Sequence, residues 1–164
     1  AKRISANREQ SHVILLSGPS GSGKTTTALM IEALLDAEGI ETHTISMDNY
    51  FNTVDPETAP RNREGDIDYE SPKCLDMDLL DRHFTDLREG REIIIPRYEF
   101  SRQMRNDAAG TPLALGKNEV AIFEGIHALN DDIAMEPGLP RAINNQTIFY
   151  SLRHHNLFVW GMDF

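Results

Sequence analysis

Residues 18–25, Gly18-Pro19-Ser20-Gly21-Ser22-Gly23-Lys24-Thr25, satisfy the pattern G-x-x-x-x-G-K-[ST], the spacing of a phosphate-binding loop. Glycines at these intervals let consecutive backbone N–H groups turn inward around phosphate oxygens without side-chain clashes. A helix starting at Lys24 offers its positive end to the same anion. In such a loop the lysine reaches the β- and γ-phosphates and the hydroxyl after it ligates Mg²⁺, which assigns Lys24 and Thr25. One chance match is expected in about two hundred chains of this length, and a match lying between an apolar run and a helical pattern is rarer still.

Phosphoryl transfer needs alignment, charge neutralisation and a carboxylate to take the acceptor hydroxyl's proton. Asp48 follows the β-branched run at residues 42–47, and Glu124 follows the apolar run at residues 120–123. In an open parallel sheet, ligands bind beyond the carboxyl ends of the strands, so both carboxylates are expected beside the phosphate loop. Asp48 is the candidate proton acceptor and Glu124 the candidate metal ligand. Each alone is better explained as a helix cap or a solvated loop charge; the pair at consecutive strand ends, with a phosphate loop, reverses that preference.

These residues require a scaffold. The apolar run at 13–16 reads as a buried strand, and Ala28, Leu29, Ile31, Leu34 and Leu35 mark a helix from Lys24 to about Ala37, stopped near Gly39. Residues 42–47 read as a second strand, and residues 52–70 as a long loop carrying Pro56 and Pro60. Leu75, Leu79, Phe84 and Leu87 mark a second helix closed by Gly90, with Cys74 packing at its start. Residues 93–95 form a strand halted by Pro96, residues 106–116 a turn-rich excursion, and residues 120–123 and 147–152 two further strands. The apolar residues 157–160 are expected to pack on the sheet or join a partner chain, as in a homo-oligomer.

The whole chain, 164 residues, suits one domain. Sixteen Lys and Arg against 26 Asp and Glu give a net charge of −10, which argues against duplex nucleic acid or an anionic membrane bound by blanket phosphate neutralisation. A small phosphorylated ligand remains compatible with that charge. A single cysteine excludes an internal disulfide and fits a cytoplasmic setting; no apolar run is long enough to span a membrane. The adjacent pair His154 and His155 points apart and lacks the further ligands of a zinc site. His127 reads as a polar loop residue near the pocket, and Arg61, Arg63, Arg97, Arg102 and Arg105 as surface charges. Arg105 is the one set aside for a phosphorylated acceptor, because of its distance from Tyr98.

Residues 18–26, 46–51, 69–72, 96–100 and 123–127 together resemble the uridine kinase and phosphoribulokinase family, in order and in spacing, over about residues 13–130. The likeness is greatest to its bacterial uridine kinase-like branch. It implies an α/β fold, a three-layer P-loop NTPase sandwich with a mostly parallel sheet of about five strands. The implied reaction moves the γ-phosphoryl of ATP, with Mg²⁺, to a hydroxyl of a nucleoside such as uridine or cytidine. A phosphoribulokinase-like sugar-phosphate kinase and a nucleotide-binding module without turnover are the alternatives. By this resemblance Gly18, Pro19, Ser20, Gly21, Ser22, Gly23, Lys24, Thr25 and Thr26 bind nucleotide, Asp48 is the base and Glu124 serves the metal. Tyr69, Glu70, Tyr98, Phe100 and Gln103 line the acceptor pocket. Glu70 stands where the family has an Asp gripping ribose hydroxyls, and Gln103 where it has a His facing the base. The family's arginine-rich lid has no counterpart, since residues 145–164 offer only Arg153. The expectation is a single kinase-like domain, incomplete at its C-terminus, that binds nucleotide but transfers phosphoryl groups poorly.

Overall fold

The computed structural model describes residues 1–9 and 11–128, and the backbone of residues 148–153 and 156–160. Strands β1 (Val13–Ser17), β2 (Glu41–Ser46), β5 (Glu119–Gly125), β6 (Ile148–Arg153) and β7 (Asn156–Trp160) form one sheet in the order β2-β5-β1-β6-β7. Helices α1 (Lys2–Asn7), α2 (Lys24–Asp36) and α3 (Met77–Arg88) accompany it, and β3 (Ile93–Glu99) and β4 (Met104–Leu113) form a separate ribbon. The pairs β2–β5, β5–β1 and β1–β6 are parallel and β6–β7 antiparallel.

Alternation along the buried strands builds the layers, because successive side chains leave opposite faces. Ile14 and Leu16 of β1 join Val120 and Ile122 of β5 in a core with Ala28, Ile31 and Leu35 of α2. Val13, Leu15, Ala121 and Phe123 turn the other way, onto Leu80, Phe84 and Leu87 of α3. The result is the expected three-layer α/β sandwich. The expected stripe on α2 is narrower than its sequence suggests: Leu29 and Leu34 are more than half exposed.

Two local expectations are corrected. Pro96 does not end β3, which continues to Glu99 through a register shift between Ile95 and Arg97, where a residue without an N–H costs little. The stretch taken as turn-rich is mostly the strand β4, and the hairpin turn lies earlier, where Gln103 N donates to the Phe100 carbonyl at 3.2 Å. Gln103 takes a left-handed φ of 52°, the conformation this tight reversal requires. Helix α1 has no counterpart in the sequence reading. Strand β7 resolves the fate of residues 157–160: their backbone pairs with β6, so they join the sheet.

The long segment before α3 contains no extended strand and only a 3₁₀ turn at Pro72–Cys74, yet it is pinned by its own polar side chains. Asp55 accepts from Glu57 N and Thr58 Oγ1, and Asn62 Oδ1 accepts from the backbone N–H of Glu64 and Asp66. A bridge between Phe51 and Leu75 closes its ends. No helix among the described residues is long and apolar enough to cross a membrane.

Candidate active site

The phosphate loop leaves β1 and enters α2 through Gly21 and Gly23, at φ 72° and 83°. Side chains rarely adopt this conformation, and nothing else crowds either glycine. Gly23 is the N-cap of α2 and supplies no side-chain acceptor, so the first N–H groups of the helix stay available to an anion. At α3 the equivalent position is occupied by Asp76, whose carboxylate accepts from Leu79 N at 3.0 Å. Lys24 Nζ donates to the Pro19 carbonyl at 3.1 Å, arching back over the loop. Ser22 Oγ is buried with no hydrogen-bond partner among the described residues.

Thr25 opens α2 and Glu124 lies in β5, paired with Leu16 of β1 on one side and Ser46 of β2 on the other. Thr25 Oγ1 donates to Glu124 Oε1 at 3.4 Å, and Glu124 is 9% exposed. A hydroxyl and a buried carboxylate side by side are hard oxygen donors, and phosphate and water complete the shell of Mg²⁺ in such sites. Among the described residues no cluster of three or more His, Cys, Asp or Glu could hold a metal alone.

Asp48 sits two residues beyond β2 in a 3₁₀ turn, Met47–Tyr50, where Ser46 Oγ accepts from its N–H at 3.3 Å. Burial pushes its carboxyl above the usual value, and the charges of Lys24 and His127 pull partly against that. Both groups are thus near enough for their charges to act on Asp48. The approach of the two strand ends is set by Gly125: a Cβ there would lie 2.9 Å from Met47 Cβ.

His127 is the residue the sequence reading undervalued. Beyond β5, Ser17 Oγ donates to the Ile126 carbonyl at 3.1 Å, Ala128 N donates to the Gly125 carbonyl at 3.4 Å, and Ala128 is wholly buried. Burial holds the imidazole below its ordinary value, against a hydrogen bond to the Glu70 backbone and the carboxylates of Asp48, Glu70 and Asp68. Its place in the Glu124-Gly125-Ile126-His127 run, three residues after the metal candidate, was the available signal.

A cavity of about 290 Å³ is walled by Phe51, Tyr69, Tyr98, Phe100, Gln103 and Cys74 among others. Tyr98 packs edge-on against Phe51 and Phe100, with ring centroids 5.6 and 5.0 Å apart. Gln103 Nε2 donates to Tyr69 Oη at 3.1 Å. The hairpin is tied down where Tyr98 N donates to Asn49 Oδ1 and Val54 N to the Gln103 carbonyl. Phe51 and Cys74 line the wall although neither was assigned to it; Cys74 Sγ also donates to the Asp68 carbonyl at 3.3 Å.

Arg105 goes elsewhere. Its guanidinium donates to Asp76 Oδ2 at 2.7 Å and to Asp107 Oδ1 at 2.8 Å and lines a separate cavity with Arg82 and Glu92. Its pairing with Tyr98 puts the two side chains on one face of the ribbon, but Asp76 at the start of α3 and Asp107 take its guanidinium. Arg61 is likewise engaged, donating to the carbonyls of Gly65 and Pro56. The side chains of His154, His155 and Arg153, and with them the question of a lid, lie outside the described residues.

The sheet order, the glycine-lined bend after β1 and the layers on both faces define a P-loop kinase fold, and solved structures agree. A Bacillus stearothermophilus protein described as a possible uridine kinase superposes with a TM-score of 0.57 at 21% identity, over 74% of this chain and 64% of that one. A D-glycerate 3-kinase from Cryptococcus neoformans gives 0.57 at 20%, over 77% and 49%.

Residues 13–136 match the phosphoribulokinase / uridine kinase family, and the chain belongs to it. Relatives include the uridine kinase of Schizosaccharomyces pombe, 34% identical over 71% of this chain and 25% of that protein. That of Limosilactobacillus reuteri is 32% identical over 73% and 52%, and that of Ureaplasma urealyticum 28% over 77% and 58%. The chain thus spans between a quarter and somewhat over half of these relatives.

Proposed function

We propose that this chain carries the nucleotide and acceptor sites of an ATP- and Mg²⁺-dependent kinase that phosphorylates a hydroxyl of a nucleoside, uridine or cytidine in type, or of a related small molecule. One observation carries the reading: Lys24, Thr25, Glu124 and Asp48 converge from β1, β5 and β2 at the same edge of the sheet.

The backbone N–H groups of the loop, from Gly18 through Thr26, and Lys24 grip the triphosphate. Thr25 and Glu124 would hold Mg²⁺, which when bound neutralises charge on the phosphate oxygens. Asp48 accepts the proton of the acceptor hydroxyl as its oxygen bonds to the γ-phosphorus and the bond to the β-phosphate oxygen breaks, releasing ADP. Burial raises the basicity of Asp48 and so suits it to this task.

The cavity supports an acceptor with a flat apolar part. Tyr98, Phe100 and Phe51 offer aromatic faces and edges and Gln103 both a donor and an acceptor, while Glu70, whose carboxylate acts on His127, does not wall it. A phosphorylated sugar is disfavoured, because Arg105 and Arg61 spend their donors on internal acceptors.

The test is ADP formation from Mg·ATP with uridine, cytidine, ribulose 5-phosphate or glycerate, in the wild-type chain and in Asp48→Asn. Nucleoside-dependent turnover lost in the variant is expected. Turnover that survives the substitution removes Asp48 as base, and ATP binding with no acceptor-dependent turnover favours a nucleotide-binding module.

A further inference from the structure

Two polar side chains meet inside the core that β1, β5 and α3 share. Tyr50 is wholly buried, His83 is 7% exposed, and Tyr50 Oη and His83 Nδ1 lie 2.9 Å apart in a hydrogen bond. Their surroundings are apolar: Leu80, Phe84 and Leu87 of α3 and Phe123 of β5 belong to the same cluster as Tyr50. The Tyr50 ring meets His83 edge-on at 5.5 Å and Phe123 at 6.1 Å. Apolar contact is non-directional, whereas a hydrogen bond fixes a distance and an angle. A buried polar pair adds little net stability over apolar partners of the same shape; what it supplies is a defined position.

That position bears on the site because Tyr50 ends the 3₁₀ turn Met47–Tyr50, which carries Asp48. The turn is short and closed. Asp48 N–H donates to Ser46 Oγ and Phe51 N–H to the Asp48 carbonyl, each at 3.3 Å, so a shift at Tyr50 reaches Asp48. Elsewhere Met47 closes on Gly125, Asn49 Oδ1 accepts from Tyr98 N–H, and the Tyr50 carbonyl accepts from Asp76 N–H at 2.8 Å. The bond to His83 ties the turn to the middle of α3, a helix of 12 residues packed on the sheet.

We infer that His83 is a positioning residue, which through the Tyr50 hydroxyl holds the turn bearing Asp48 in place against the phosphate loop. The inference rests on the kinase reading above. His83 lines neither the phosphate loop nor the acceptor cavity, and faces instead the separate cavity beside Arg82, Asp86 and Arg105. Breaking its bond therefore costs turnover more than nucleotide affinity, since β1 and α2 hold the loop independently. A misplacement of about 1 Å transmitted from a distance can cost about 10²-fold in rate.

The test compares wild type, His83→Leu, Tyr50→Phe, the double variant and His83→Asn. It reads kcat with the acceptor that supports turnover, Mg·ATP affinity, melting temperature and amide hydrogen exchange. Each of His83→Leu and Tyr50→Phe leaves one buried partner unpaired and should lower kcat by about 10-fold or more, with Mg·ATP affinity changed under about two-fold. The double variant removes both partners, so its melting temperature should return toward wild type. Its kcat should stay low, and the amide protection of Phe51 and Asp76 should stay down by about 5–100-fold while that of β1 and β5 recovers. His83→Asn carries a donor and an acceptor at the reach of Nδ1 and should regain part of the lost kcat. Should a single variant not fold, the double variant and His83→Asn decide. A kcat that recovers together with the melting temperature in the double variant makes the bond merely structural and overturns the inference. Unchanged kcat in the folded variants overturns it too and leaves the kinase reading standing. Wild type without acceptor-dependent turnover overturns the kinase reading and this inference with it.

Discussion

The phosphate end of the site stands on the most buried part of the molecule, and the acceptor end on its most piecemeal part. Every residue of β1 is buried, and the loop that follows is one continuous stretch held by two glycines and an uncapped helix. The acceptor cavity draws on residues 51–60, 67–74 and 98–103, stitched together by single hydrogen bonds such as Gln103 to Tyr69 and Val54 to Gln103. Phe100 is 62% exposed and Tyr69 is 47% exposed, whereas Glu124 is almost covered. A contiguous phosphate grip seated on a wholly buried strand tolerates little change. A wall assembled from separate segments can be altered one side chain at a time, which is how a single phosphoryl-transfer frame comes to serve different acceptors.

The strongest way to sharpen that contrast is Asp48→Asn. Acceptor-dependent kcat should fall by about 10²–10⁴-fold while Mg·ATP affinity persists, since the substitution removes a proton acceptor and leaves the loop intact. Lys24→Met should do the reverse to binding, weakening Mg·ATP by about 10–100-fold as a charge-assisted contact is lost. It also carries a pH signature. The Lys24 charge lowers the Asp48 pKa, so its removal should raise the Asp48 titration midpoint further in the nucleotide-free chain, measured by carboxyl NMR.

Gly125→Val joins the two regions in one experiment. Its Cβ would meet Met47 Cβ, so both nucleotide and acceptor affinity should weaken and unfolding by urea should show a loss of about 1–3 kcal/mol. Phe100→Ala, by contrast, should leave the melting temperature alone and raise the acceptor KM by about 2–10-fold, the worth of one aromatic contact.

The smallest effect separates a structural arginine from a substrate-binding one. Burial pushes Asp76 up, but the Arg105 and Leu79 hydrogen bonds and the charges of Arg105 and Arg82 outweigh it and hold the carboxyl below its usual value. A depressed carboxylate contributes stability above its unfolded pKa and loses it as pH falls through the folded one. Arg105→Met should therefore lower the melting temperature by about 2–4 °C near neutrality and by less at pH 3, with the acceptor KM changed under about two-fold. An acceptor KM raised tenfold would restore Arg105 to the pocket.

The same division governs what could be read before any coordinates. The phosphate end was legible because its chemistry fixes residue types at consecutive positions: glycine where φ is positive, lysine and hydroxyl where the helix begins. The strands bearing Asp48 and Glu124 were legible as apolar or β-branched runs. Pro96 misled, because an N–H missing from a two-stranded ribbon at a register shift is cheap, and no periodicity shows that. Arg105 misled for a different reason: although it pairs with Tyr98 across the ribbon, Asp76 at the start of α3 and Asp107 take its guanidinium, and local pattern does not show that long-range ion pair. Cys74 and Phe51 joined the cavity through the Phe51–Leu75 bridge, a long-range pairing that local pattern does not encode.

The strand order has a metric consequence. Because β5 lies between β1 and β2, the loop after β1 and the carboxylate after β2 are held two inter-strand spacings apart, roughly 10 Å. That interval is a gauge block set by backbone hydrogen bonding, as long as no side chain at position 125 pushes the strand ends apart. A donor and a recipient that together fill it are brought to reacting distance, and a pair too short to bridge it is left unreacted however tightly each half is held.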